Sequence, residues 1–147
     1  MIRKPRRFPL LFLLVLISLA FGIFSPGFLN GQGRTPVISE PPPDTDEDLQ
    51  KALKSGKPVV VDFGASACVP CKKLRPILRA LSKEYAGKAH FLIIDVYESR
   101  SLAREYRIQL IPTLIFFDNQ GKEVYRHMGF WDKDSIVKKL KEVGKIG

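Results

Sequence analysis

Residues 59–78 read VVVDFGASACVPCKKLRPIL, and this stretch decides the fold. Its first five residues are almost continuously apolar, which is typical of a strand that is buried on both faces. From Leu74 onward, apolar residues recur at spacings of three and four, which predicts an amphipathic helix. Cys68 and Cys71 lie between these segments. The stretch therefore predicts a buried strand that leads through a Cys-x-x-Cys loop into a helix.

The two cysteines are the only ones in the chain, and their spacing lets them close and reopen a tight disulfide. At the start of a helix, Cys68 lies near unpaired backbone N–H groups and the positive end of the helix dipole, which lowers a thiol pKa. We therefore predict that Cys68 is the nucleophile. Cys71, one turn further in, is predicted to be the resolving thiol that attacks the mixed disulfide. A structural cystine is the alternative, but so short a loop constrains the unfolded chain very little.

Outside this unit, the hydrophobic pattern alternates between helical and strand periods. The residues DNQG at 118–121 predict a hairpin turn. Asp132 or Asp134 is expected to cap a last helix. The other predicted elements are short helices over 46–55 and 99–106 and strands over 91–96, 113–117 and 122–127. From the first strand, the order β-α-β-α-β-β-α predicts an α/β fold whose mixed sheet is covered by helices on both faces.

Over roughly residues 46–144 the chain resembles the thioredoxin family. The matching segments are residues 60–63, the loop 68–72, Pro76, residues 111–113 and Gly129. The resemblance implies a thioredoxin fold with a four- or five-stranded sheet, dithiol–disulfide exchange between Cys68 and Cys71, and a cis peptide bond before Pro112. It also implies a substrate groove between the cysteine loop and the cis-proline loop. The residues assigned to that groove are Ala67, Val69, Pro70, Ile111, Pro112, Thr113 and Gly129.

The sequence departs from the family pattern at several positions. Ala67 replaces the usual tryptophan before the first cysteine, Val69 replaces a glycine, and Gly64 replaces an aromatic residue. The first change removes a flat surface beside the reactive sulfur, which affects the choice of partner. Val69 lies between the two cysteines, at a position that tunes the redox potential in this family. Counted back without gaps from Pro112, the lysine that pairs with the buried aspartate in the family falls at Ile93, so Asp62 is expected to lack that cationic partner.

Asp62 is an acidic residue within an otherwise apolar strand. Burial of a carboxyl group disfavours its charged form and raises its pKa. Such a group can accept or donate a proton as Cys71 changes state, so we predict that Asp62 is a proton relay. The alternative is an aspartate that caps the turn after the strand.

The first 29 residues have the pattern of a membrane-targeting segment. Four cations among the first seven residues precede the apolar run of residues 10–17, and the apolar character continues to Phe24. A cleaved signal peptide ending at Ala20 is one interpretation. The favoured one is an uncleaved anchor, because the apolar stretch continues past Ala20. Both place the N-terminus in the cytoplasm and the rest of the chain outside it.

Residues 30–45 are predicted to be a tether, since prolines and glycines dominate them and a run of acidic residues follows. The folded domain is then predicted to occupy residues 46–147. The style of the first segment indicates a bacterial inner membrane, with the domain facing the periplasm or outer surface. If the segment is cleaved, the domain is instead secreted to that side.

Charge and composition exclude several classes of function. The net charge is +9, but beyond the first residues the cations are interleaved with acids, which does not fit nucleic-acid binding. A zinc site is disfavoured because there is no second cysteine pair and the two histidines stand apart. No metal and no cofactor are expected.

Two classes of function follow. The favoured one is an exported, membrane-tethered thiol–disulfide oxidoreductase that reduces protein disulfides, and the alternative enzymatic direction is a disulfide oxidase or isomerase. The competing class is a binding or holdase module with the same fold and little redox turnover. The expected partners are protein thiols and disulfides, the membrane through the N-terminal segment, and, by the resemblance, an integral membrane thiol transporter that supplies electrons.

Overall fold

The computed structural model describes residues 41–146. It contains the mixed four-stranded sheet with helices that the sequence predicts. The strands are β1 (Val59–Gly64), β2 (His90–Asp95), β3 (Thr113–Phe117) and β4 (Glu123–Met128). The helices are α1 (Asp46–Leu53), α2 (Val69–Glu84), α3 (Arg100–Glu105) and α4 (Lys133–Gly144).

The strand order in the sheet is β2-β1-β3-β4. β1 and β2 are parallel, since α2 carries the chain back between them, whereas β3 is antiparallel to both β1 and β4. β1 is therefore a central strand, and all six of its residues are buried. Its end, where the chain enters the cysteine loop, lies beside the start of β3, because Phe63 pairs with Thr113.

Each face of the sheet packs against its own pair of helices, which confirms the predicted layering. Alternate residues of β1 such as Val59 and Val61 pack with Leu49 of α1 and Leu102 of α3. The residues between them face the other way, where α2 and α4 cover the sheet. Val60 lies on that second face. Asp62, two residues further along the strand, shares it with α2, the helix that begins after Cys68.

Local hydrogen bonds explain where several elements begin and turn. Thr45 and Asp48 form a capping box at the start of α1. Asp118 organises the predicted hairpin, since its carboxylate accepts the backbone N–H groups of Gln120 and Lys122. Of the two candidate caps for α4, Asp132 is the one used, because its carboxylate accepts the N–H of Ser135 at 3.0 Å.

The chain contacts the sheet just before α1. The backbone N–H of Asp44 donates to the carbonyl of Ile93 at 2.7 Å, and the Asp44 carboxylate accepts the Ile93 N–H. The predicted membrane segment over 1–29 and the tether up to residue 40 lie outside the described residues. Within residues 41–146, no helix has the length and apolar character needed to cross a membrane.

Candidate active site

Cys68 and Cys71 form a disulfide at the start of α2, with their Cα atoms 5.3 Å apart. Cys68 is the N-cap residue of this helix, as the sequence predicts, and its sulfur accepts the backbone N–H of Cys71 at 3.3 Å. Cys68 is partly exposed, whereas Cys71 is fully buried. The two sulfurs therefore differ in both access to solvent and access to a hydrogen-bond donor.

This asymmetry has a chemical consequence in the reduced state. A backbone N–H aimed at Cys68 and the helix dipole both stabilise a thiolate there, so the thiol at this position ionises more readily. Pro70 stands in the first turn of α2, where its missing N–H has no intrahelical partner to lose. A partly exposed, stabilised thiolate can attack a partner's disulfide, and the buried sulfur can only be reached from within.

Asp62 lies behind the disulfide with its carboxyl group completely buried. Neither carboxyl oxygen has a hydrogen-bond partner among the residues that the structure describes. A Cβ atom placed on Gly64 would lie 3.3 Å from Oδ2 of Asp62 and 3.3 Å from Sγ of Cys71. The carboxyl oxygen and the buried sulfur therefore flank the same small space beside Gly64, no more than twice that distance apart.

Burial raises the pKa of Asp62 from 3.8 to about 7, and the positive charge of Arg75 on α2 partly opposes this shift. The register places Ile93 beside Asp62, as counted from the sequence. The expectation that Asp62 therefore lacks a cation needs correction, because the cation comes from the helix and not from the strand. A spacing signal for it existed, since Arg75 follows Cys71 by four residues and shares its helix face.

The cis-proline loop lies at the same end of the sheet. The Ile111–Pro112 peptide bond is cis, as the resemblance implied. Thr113 pairs with Phe63 at the end of β1, and the N–H of Gly129 donates to the carbonyl of Pro112 at 2.7 Å. Gly129 has a φ of +97°, a conformation that favours glycine. The structure thus brings residues 111–113 and Gly129 together beside the strand that leads to Cys68.

The predicted groove residues differ in their exposure. Ala67, Val69 and Pro70 are exposed, with Val69 at 64%, whereas Pro112 and Thr113 are buried. A cavity of about 470 Å³ continues from Ile111, lined also by residues 96, 97, 100, 103, 104 and 108–110. Tyr97 follows the end of β2, lines this cavity and is 65% exposed.

Comparisons with known proteins point to one family. The thioredoxin family model matches residues 41–142. A thioredoxin of Staphylococcus aureus is 41% identical over 96 residues, which cover 65% of this chain and 90% of that protein.

Solved structures give the same result. A mutant thioredoxin from Halobacterium salinarum matches with a TM-score of 0.63 and 27% identity, covering 71% of this chain and 90% of its own. A thioredoxin from Nicotiana alata matches with a TM-score of 0.58 and 35% identity, covering 67% and 83%.

The raised pKa of Asp62 predicts how stability depends on pH. Below about pH 4 the carboxyl is neutral in both states; between that pH and about 7 only the unfolded chain ionises, so stability falls as pH rises. A pKa difference of about three units between the folded and unfolded chain corresponds to roughly 4 kcal/mol in the free energy of unfolding. Asp62→Asn removes this penalty but buries an amide without partners, so we expect a gain of about 1–3 kcal/mol at pH 8 that becomes a loss of about 1–3 kcal/mol near pH 4, where the wild-type carboxyl carries no ionisation penalty. Denaturant midpoints measured across this range test it.

Asp95→Asn is the matched control. Burial alone would raise the pKa of Asp95, but hydrogen bonds from Tyr97 and Ser66 and the charge of Arg75 outweigh it, so its pKa is lowered. A lowered pKa contributes stability above the ordinary value, which is lost as pH falls. Asp95→Asn should therefore destabilise the protein at pH 8. A destabilised Asp62→Asn at that pH would show instead that Asp62 is a structural cap.

Proposed function

Since this chain belongs to the thioredoxin family and is a thiol–disulfide oxidoreductase, we propose that it reduces protein disulfides outside the cytoplasm, tethered to a bacterial inner membrane by its N-terminal segment. The observation that carries the proposed chemistry is the asymmetry of the cysteine pair. Cys68 is partly exposed and accepts a backbone N–H, whereas Cys71 is buried beside Asp62. The roles of nucleophile, resolving thiol and proton relay follow from this arrangement.

The proposed reaction begins with the reduced dithiol. The Cys68 thiolate attacks one sulfur of a substrate disulfide; a bond forms between Cys68 and that sulfur, and the other substrate sulfur leaves with the electron pair. Cys71 then loses its proton and attacks Cys68, which releases the second substrate sulfur and leaves the Cys68–Cys71 disulfide. Two electrons pass to the substrate, and a thiol donor must return two for the next cycle.

Asp62 is proposed to take the proton of Cys71 in the second step. A general base works best when its pKa lies near the operating pH, and the pKa of about 7 meets this condition. The shared space beside Gly64 puts the carboxyl oxygen near the sulfur that must be deprotonated. Burial also keeps this proton acceptor away from bulk solvent, so the proton it takes comes from within the site.

The direction of electron flow is proposed from the environment of Cys68. A strongly oxidising couple needs a strongly stabilised thiolate in its reduced form. In the described part of the chain, the Cys68 sulfur accepts one hydrogen bond, from a backbone N–H at 3.3 Å. No acidic or basic side chain of these residues bonds to it. This modest stabilisation favours a reductase over an oxidase or isomerase. Membership in an enzyme family with a formed Cys-x-x-Cys disulfide disfavours a holdase without redox turnover.

The partners of the tethered reductase follow from the same proposal. Exported protein disulfides are the substrates, and an integral membrane thiol transporter supplies the electrons, because the outside of a cell lacks the cytoplasmic reductants. The cationic start and the apolar run over residues 3–24 support the proposed tether.

The redox potential of the Cys68–Cys71 couple tests the direction of the reaction. Equilibrated against a thiol buffer of known potential, the full chain should show a value below about −220 mV, closer to about −270 mV than to about −120 mV. It should also reduce insulin disulfides when a dithiol recharges it. A potential near about −120 mV would make the protein an oxidant.

Mixed-disulfide trapping tests the roles of the two cysteines. In a Cys71→Ser variant, Cys68 still attacks but the complex cannot be resolved, so covalent adducts with substrate proteins should accumulate. In a Cys68→Ser variant the remaining thiol is buried, and at least tenfold fewer adducts are expected. Non-reducing gels quantify both, and equal trapping would contradict the assignment.

Membrane association tests the tether. Because the apolar stretch continues past Ala20, the full chain expressed in a bacterium should stay with the membranes after carbonate washing. Its first residue should be Met1 or the residue after it. A soluble mature protein that begins at Phe21 would establish the cleaved signal peptide instead.

A further inference from the structure

Asp95, at the end of β2, joins three elements of the active site through one buried carboxylate. Its Oδ2 atom accepts the backbone N–H of Ser66 at 3.0 Å and the hydroxyl of Ser66 at 2.9 Å. Its Oδ1 atom accepts the N–H of Tyr97 at 3.0 Å. The Arg75 guanidinium lies 3.7 Å from Oδ2. The carboxylate therefore links β2 to the loop before Cys68 and to α2 beyond Cys71.

The ion pair between Arg75 and Asp95 is buried, with Arg75 8% exposed and Asp95 3% exposed. Taking an arginine and an aspartate out of water costs about as much as their attraction returns, so such a pair is weak evidence for a role in stability. Asp95 already accepts three hydrogen bonds without Arg75. A role beyond stability is the more informative explanation for the buried guanidinium.

The neighbours of Asp62 show what that role is. In the sheet, Asp62 pairs with Ile93 of β2 and Leu114 of β3, and both are uncharged. The residues of α4 that pack on this face, Ile136 and Leu140, are apolar. From α2 come Cys71, whose sulfur flanks the same space beside Gly64 as the Asp62 carboxyl, and the buried Arg75, which lies one turn further along the same face of the helix. After burial itself, the guanidinium is the one influence acting on the Asp62 carboxyl, and it lowers that pKa.

We propose that Arg75, oriented by Asp95, is a positioning residue for the resolving step: its buried charge stabilises the anionic form of Asp62 and so fixes the pH range in which Asp62 accepts the Cys71 proton. This inference rests on the proposed function of Asp62. In that step the Cys71 proton passes to the carboxylate and the Cys71 sulfur bonds to Cys68. The bond between Cys68 and the substrate sulfur breaks, and its electron pair leaves on the substrate.

The direction of the effect follows from the sign of the charge. Without Arg75, the neutral acid is favoured further, so Asp62 becomes a proton acceptor only at higher pH. We expect Arg75→Met to move the pH profile of the resolving step to higher pH by about one unit or more. At pH 5–6, which lies below the pKa of Asp62 in both proteins, this corresponds to a resolving rate lower by about tenfold. The first step, attack by Cys68, should change far less.

The experiment uses the reduced full chain and an aromatic disulfide whose thiolate product is coloured. In a single turnover, the first burst of colour reports attack by Cys68 and the second reports resolution by Cys71. Rates are measured from pH 5 to pH 9, and denaturant midpoints are recorded separately. Arg75→Lys keeps the charge and should restore a profile close to the original. Arg75→Gln removes the charge but keeps a donor for Asp95, so it replaces Arg75→Met if that variant does not fold.

Arg79→Met is the matched control, because it removes the same charge one turn further along α2. Arg79 donates to the carbonyl of Pro41 at 3.0 Å and acts on the pKa of Asp44, not on that of Asp62. The pH profile of the resolving step in Arg79→Met should therefore stay within a few tenths of a pH unit of the original. The double variant Asp62→Asn with Arg75→Met should resolve at the rate of Asp62→Asn alone, since Arg75 acts through Asp62.

The outcomes separate the two proposals. If Asp62→Asn slows resolution but neither neutral variant of Arg75 shifts the profile, the role of Arg75 is wrong and that of Asp62 stands. If Asp62→Asn leaves resolution unchanged, the proton relay is wrong and the inference about Arg75 is overturned with it. An equal shift of the pH profile in Arg79→Met would also overturn the inference about Arg75. The shift would then reflect the loss of any positive charge on α2 and not a specific effect of Arg75 on Asp62.

Discussion

The burial of one carboxyl group at the end of a central strand is the constraint on which the active site depends. Asp62 lies on the face of β1 that α2 covers, and neither of its oxygens has a hydrogen-bond partner among the described residues. An unpaired buried carboxyl is expensive in its charged form, so the fold holds it near the point where it binds or releases a proton at neutral pH. In the proposed reaction, that placement gives the neighbouring Cys71 a proton acceptor.

The same strand-to-helix junction makes the two cysteines different. Because β1 ends inside the sheet and α2 starts directly after the loop, Cys68 takes the N-cap position at the surface and Cys71 falls one turn further in, beside Asp62. The cis-proline loop reaches this junction because β3 pairs with β1. The proposed attack by Cys68 from outside and resolution by Cys71 from inside both follow from where β1 ends and α2 begins.

Much of this could be predicted from the sequence, because strong hydrophobic periods mark buried elements. The strand over 113–117 agrees at both ends, whereas most helix ends differ by one or two residues, since hydrogen bonding and capping, not periodicity, set them. The spacing of Arg75 from Cys71 indicates only a shared helix face, and Asp95 could not be predicted as a site residue. An arginine on an amphipathic helix is expected at the surface, and its partner at the end of β2 is identified only when the strands are in register.

A direct titration of the Asp62 carboxyl tests the central claim. The side-chain carboxyl carbon can be followed by NMR in the oxidised full chain, with Asp62→Asn to assign the signal. A buried carboxyl opposed only in part by Arg75 should titrate with a pKa of about 7. A pKa near the ordinary value of about 4 would contradict the account, because Asp62 would then be a solvated or well-paired carboxylate and not a proton acceptor for Cys71.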